Sequence, residues 1–228
     1  MTRIERFVKM EAASQRACDL VKKTAQQTIA SKDRFSLAIS GGSTPRLFFR
    51  LLSQTKGIDW EKTYVFLVDE RLVPVKSPYS NLGQAKELLL DQVQIPQAHI
   101  CAPLPELPAD ESAREYEGQI RSVFSPNFPD LDVVHLGIGL DGHTASLFPG
   151  SRQLEDNTNL VTEITAKDIS PPIRVSMTLP LINSARLAFF LIQGEGKAAL
   201  MEEINSGQSD LPAARVSPQE ELYWLLAL

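Results

Sequence analysis

The chain has 228 residues, 43% hydrophobic and 22% charged, the balance of a globular protein long enough to bury a substantial core. Its net charge of −5 argues against a general nucleic-acid binder, and Cys18 and Cys101 are too few for a disulfide framework or a zinc cluster. No apolar run approaches the ~20 residues of a membrane span and Met1 to Arg6 has no signal-peptide core, so a reduced, cytoplasmic protein is expected.

Residues 9 to 30 carry Ala, Leu, Val and Ile at helical spacing, predicting a long amphipathic helix. Phe35 to Ile39 reads as a strand. The tight loop Ser40-Gly-Gly-Ser-Thr44 follows, with Ser43 or Thr44 as the expected cap of a helix opened by Pro45 and running from Arg46 to Ser53. Strand, glycine loop and helix start make an anion site, because free N–H groups and the helix dipole favour negative charge. The bland alternative is an ordinary strand-to-helix turn. A P-loop is excluded, since no Gly-Lys-Ser/Thr follows.

Tyr64 to Val68 is the next buried strand, with Asp69-Glu70-Arg71 at its carboxyl end. A proline-containing loop then leads to Ser80, expected to cap a helix from Asn81 to about Asp91. After Gln94 to Pro108 a helix is predicted near Asp110 to Val123, then a break at Ser125 to Pro129. Strands are expected at Val133 to Ile138, Leu160 to Thr165, Arg174 to Thr178, Leu187 to Ile192 and Leu222 to Leu226. Lys197 leads into a helix from Ala198 to Ile204. Strands alternating with helices, without repeats or a linker, predict one Rossmann-like three-layer α/β/α domain over residues 1–228 with a mostly parallel sheet.

The strand ending at Ile138 delivers the densest motif. Gly137-x-Gly139-x-x-Gly142 formally matches a dinucleotide fingerprint, but Phe148-Pro149-Gly150 stops the chain before a long helix, so no cofactor is expected. Asp141 and His143 stand in that loop beside Thr144 and Ser146. By itself His143 is either a catalytic imidazole or a structural one that hydrogen-bonds the loop. In a parallel sheet the loops after Ile39, Val68, Ile138 and Ile192 project from one edge. That edge gathers Asp69, Arg71, Asp141, His143, Lys197 and the loop amides, a set suited to a phosphorylated small molecule with an acid and a base near its reacting end. No metal is expected, since His99 and His135 stand apart from other ligand types and His135 reads as a core residue. Serine-hydrolase chemistry finds no Gly-x-Ser-x-Gly elbow.

Ser40 to Pro45, Val68-Asp-Glu-Arg-Leu-Val-Pro74, Ser80-Asn81, Gly137 to Pro149 and Leu211-Pro-Ala-Ala214 together resemble the 6-phosphogluconolactonase family, from about residue 8 to the last. The broader superfamily also holds glucosamine-6-phosphate deaminase. Deaminases resemble Asp-Glu-Tyr after the second strand and carry a glutamate before the proline that follows the histidine. This chain has Arg71 and Phe148 there, which favours the lactonase branch. The family's usual Asp and short helix after the last strand do not follow Trp224-Leu-Leu-Ala-Leu228.

The resemblance implies hydrolysis of 6-phospho-D-glucono-1,5-lactone to 6-phosphogluconate in the oxidative pentose phosphate pathway, without cofactor or metal. His143 is then the general base, since an imidazole of ordinary pKa near ~6.5 suits that task at neutral pH. Asp141 orients it, Arg71 stabilises the developing oxyanion and Asp69 binds sugar hydroxyls or acts as acid/base. Gly41, Gly42, Ser43, Thr44, Arg174 and Lys197 hold the 6-phosphate. The expected partner is a sugar-phosphate lactone, with no nucleic acid or membrane, bound by a monomer or weak homo-oligomer. The alternatives are a deaminase-like aldose/ketose isomerase and a non-catalytic sugar-phosphate-binding regulator on the same fold.

Overall fold

The computed structural model describes residues 1–166, 169–207 and 209–228. In chain order it runs β1 (Thr2–Phe7), α1 (Met10–Lys32), β2 (Phe35–Ile39), α2 (Arg46–Gln54), β3 (Thr63–Leu67), β4 (Asp69–Arg71), α3 (Asn81–Leu88), β5 (Ile100–Cys101) and α4 (Ala109–Phe124). It continues with β6 (Val133–Leu136), β7 (Val161–Thr165), β8 (Ile173–Met177), α5 (Leu179–Asn183), β9 (Leu187–Gln193), α6 (Glu195–Asn205) and β10 (Glu221–Ala227).

Seven strands form a parallel sheet in the order β1-β10-β9-β6-β2-β3-β5. Its central strands are mostly apolar and buried because both faces are covered, with Ser36 on β2 and His135 on β6 as polar exceptions. Leu37, Ile39 and Val65 pack with α1, α2 and α3 on one side. Ala38 and Phe66 pack with α4, α5 and α6 on the other, the three-layer α/β/α arrangement expected. In α1 the buried residues Ala13, Ala17, Leu20, Val21, Thr24 and Thr28 follow the helical repeat that made this element legible. Chain order reverses between β6 and β2, so the crevice where a doubly wound sheet takes its ligand opens there.

Four elements depart from the sequence expectation: β5 and α5, of two and five residues, and β1 and β4. Thr2–Phe7 is an edge strand, parallel to β10 at the far end of the chain. Its largely exposed, charge-bearing sequence carries almost no hydrophobic signal, which is usual for edges. Asp69–Arg71, read as a loop, is a strand of a second sheet, β4-β8-β7, which is antiparallel throughout. Three consecutive charged residues form no apolar pattern; β4 exists because β8 pairs with it, placing Asp69 opposite Ser176 and Arg71 opposite Arg174. Within its expected limits, α3 is capped as predicted, Ser80 Oγ accepting from Gly83 N at 3.0 Å. It ends earlier, at Leu88, and a short 3-10 turn over Leu90–Gln92 completes the expected span.

His135 on β6 is buried beneath the crevice, its ring 5.2 Å from those of Phe48 and Phe189. Its Nδ1 accepts from Ser40 N at 3.3 Å, so the ring is neutral, and burial pushes its pKa down to about 3. The folded pKa lies below the ordinary value of about 6.5, so protonation favours the unfolded chain. Stability from this residue is complete above about pH 6.5 and is lost as pH falls toward the folded value. Thermal melts of wild type and His135→Phe should therefore diverge in slope, with the variant losing less Tm per pH unit on acidification. Parallel slopes would mean that His135 is not an acid-sensitive element.

Candidate active site

The loop after β2 enters α2 without a side-chain cap. Pro45 occupies the cap position with φ −77° and ψ −3°, and it has no side-chain oxygen to turn back on the helix. Ser43 and Thr44 therefore do not cap α2, a correction to the sequence expectation; they line the crevice instead. Gly42 N donates to Gln84 Oε1 on α3 at 3.1 Å, which steadies the loop.

The loop after β6 folds on itself. Gly139 N donates to His143 O at 2.9 Å, Gly142 N to Gly139 O at 3.0 Å, and Thr144 Oγ1 to Gly137 O at 2.9 Å. A Cβ on Gly139 would stand 2.2 Å from His143 Nδ1, so only glycine allows the imidazole to lie this close to the backbone. Leu211 to Ala214 brace the loop from behind, with Ala213 N donating to Gly142 O at 3.1 Å.

Asp141 Oδ1 lies 2.6 Å from His143 Nδ1 and also accepts the His143 N–H at 3.2 Å. A carboxylate in that place accepts a hydrogen bond from Nδ1–H and leaves Nε2 as the basic nitrogen. The Phe148 ring packs 4.7 Å from the imidazole and lies 5.8 Å from the Arg174 guanidinium.

Cations crowd the opposite wall. Arg71 and Arg174 are neighbours across the antiparallel β4–β8 ladder, an arrangement that costs stability unless an anion answers it. Arg174 is only 4% exposed, and burial, then Arg71, holds its pKa below the ordinary value against the pull of Asp69. Lys197, in the first turn of α6, is half-buried and its pKa is lowered by burial. Among the described residues none of these three cations forms a salt bridge with a carboxylate. Arg71 Nη1 instead donates to neutral oxygens, Tyr79 O at 3.0 Å and Asn81 Oδ1 at 2.8 Å. Asp69 is buried and accepts from Ser146 Oγ at 2.6 Å.

These groups surround a cleft of about 230 Å³, floored by His135, Ile138 and Leu191. Every site residue expected from the sequence lines it except Asp141, which stands behind His143. Ser146 and Asn81, which hold Asp69, were visible in the sequence only as members of motifs, with no signal for what they contact. Glu70 lies outside the cleft: its carboxylate accepts from Arg71 N, Asn81 N, Leu82 N and Ser80 Oγ at 2.7–3.0 Å. Burial raises its pKa, and those donors oppose the rise. Among the described residues no three His, Cys, Asp or Glu side chains gather as a metal site, and no helix is long and apolar enough to cross a membrane.

The family model for glucosamine-6-phosphate isomerases/6-phosphogluconolactonase matches residues 9–224. The chain is 38% identical over 231 residues to a 6-phosphogluconolactonase of Synechocystis, covering 98% of this chain and 94% of the relative. It is 36% identical to the human 6-phosphogluconolactonase over 204 residues, 86% of this chain and 79% of that one. Among solved structures, a 6-phosphogluconolactonase of Thermotoga maritima superposes with a TM-score of 0.90 at 28% identity, over all of both chains.

Proposed function

Because the chain belongs to the glucosamine-6-phosphate isomerase/6-phosphogluconolactonase family, we propose that it hydrolyses 6-phospho-D-glucono-1,5-lactone to 6-phosphogluconate. The observation that carries this reading is the pairing of two features in one cleft: an imidazole backed by a carboxylate, and three cations that have no carboxylate partner among the described residues. Buried, unpaired cations cost stability, and an anionic ligand offsets that cost.

In the proposed reaction Arg174, Lys197 and the Gly41–Thr44 loop hold the 6-phosphate. His143 Nε2 takes a proton from water as the water oxygen bonds to C1, while Asp141 keeps Nδ1–H directed at itself. Negative charge on the former carbonyl oxygen is met by the Arg71 guanidinium. The C1–ring oxygen bond then breaks, and the proton on Nε2 passes to the departing oxygen, which becomes the C5 hydroxyl. Asp69, with Ser146 and Asn81 bonded to it, orients sugar hydroxyls. Residues 1–228 act as one domain, consistent with the first and last strands lying side by side. The proposed compartment is the cytoplasm, where the buried free thiols of Cys18 and Cys101 stay reduced.

Phe148 separates this reading from sugar-phosphate deamination. Its ring packs on His143 where a deaminase carries a glutamate that assists ring opening, and a phenyl ring transfers no proton. Purified protein should hydrolyse the lactone and release no ammonia from glucosamine 6-phosphate at a comparable rate. Ammonia release near the rate of lactone hydrolysis would overturn the assignment.

A further inference from the structure

We infer that Asn81, the first residue of α3, is a positioning residue that fixes Arg71 against Asp69 while leaving the charge of Arg71 uncancelled. Its side chain is only 2% exposed and each end has a defined partner. Oδ1 accepts from Arg71 Nη1 at 2.8 Å, and Nδ2 donates to Asp69 O at 2.8 Å and to Asp69 Oδ1 at 3.3 Å. A flipped amide would set donor against guanidinium and acceptor against carbonyl, so the partners dictate its orientation. The carboxamide also supports the phosphate loop: a Cβ on Gly41 would lie 2.1 Å from Asn81 Oδ1. One neutral side chain thus touches the loop, the acid and the cation.

The attachment of α3 does not depend on this side chain. Glu70 accepts the backbone N–H groups of Asn81 and Leu82, and Ser80 caps Gly83. The bonds made by the Asn81 carboxamide are therefore directed at the site rather than at holding the helix. Its neutrality matters as much as its reach. A carboxylate in its place would keep the bond to Arg71 but cancel that cation, and it would face Asp69 with like charge. Once protonated, a carboxyl group reproduces the amide, with one oxygen accepting from Arg71 and one hydroxyl donating to Asp69.

The inference rests on the lactonase reading, and its test uses that near-isosteric exchange. Asn81→Asp and Asn81→Ala are compared with wild type between about pH 8 and pH 5.5, at a temperature where circular dichroism shows all three folded. The ratio of kcat/KM for Asn81→Asp to that of wild type should be low at the alkaline end. It should recover about tenfold or more on acidification, as the introduced carboxyl, raised by burial and by its neighbour Asp69 against the pull of Arg71, takes up a proton. Asn81→Ala should be impaired without such recovery, since it has no group to protonate. A pH-independent ratio for Asn81→Asp would overturn the inference, whatever its level. The same ratio is read in calorimetric binding of 6-phosphogluconate, whose C1 carboxylate needs the same free cation. Absence of hydrolysis by wild type would sink the lactonase reading alone, and the binding ratio would then decide the role of Asn81.

Discussion

Replacing His143 by alanine should lower kcat for the phosphorylated lactone by about 10²–10⁴, the usual contribution of a positioned acid–base group. The affinity for 6-phosphogluconate should persist, because the groups assigned to its phosphate stand on β8, on α6 and in the loop after β2 rather than in the histidine loop. The fold should persist too. The loop is held by backbone bonds of Gly139 and Gly142 and by Ala213 at its back, none of which uses the imidazole. A histidine that only props the loop predicts the opposite pattern: a lower Tm and weaker product binding, with kcat of the remaining folded enzyme little changed. Measuring kcat, Tm and product affinity on one variant separates the two. Asp141 gives the proposal its direction, since a carboxylate on Nδ1 leaves Nε2 for the water.

Lys197→Ala should raise KM for the phosphorylated lactone by about 10- to 100-fold, the scale of a lost charge-assisted hydrogen bond. Unphosphorylated gluconolactone, which offers Lys197 nothing to bind, should be turned over almost as by wild type. Stability should move the other way or not at all. Lys197 is half-buried with no carboxylate partner among the described residues, and its removal relieves a desolvation cost that a bound anion offsets. Inorganic phosphate should accordingly raise the Tm of wild type more than that of the variant. Equal KM effects on the two lactones would remove Lys197 from the phosphate role.

Much of this arrangement could be read from the sequence because parallel sheets are regular. Once Phe35–Ile39, Thr63–Leu67, Val133–Leu136 and Leu187–Gln193 are recognised as buried strands, their carboxyl ends must share an edge, and the segments that follow them, carrying Ser43, Arg71, His143 and Lys197, meet there. What escaped was non-local or uncharacteristic. β1 is half-exposed and finds its partner at the opposite end of the chain. β4 consists of Asp, Glu and Arg, and only its register with β8 makes it a strand and sets Arg174 beside Arg71. Ser43 and Thr44 have the right chemistry for a helix cap, but Pro45 fills that position and turns them to the cleft. Asn81 reads as an ordinary first residue after the Ser80 cap. Its contacts with Asp69 and Arg71 follow from a carboxamide direction that spacing does not encode.

Hydrolysis of freshly generated 6-phosphogluconolactone by the purified chain, followed by proton release against spontaneous ring opening, tests the central claim most directly. Rapid, saturable production of 6-phosphogluconate is expected, with one proton released per lactone opened and a strong preference over unphosphorylated gluconolactone. Folded protein that leaves the rate at that of spontaneous opening would contradict that claim.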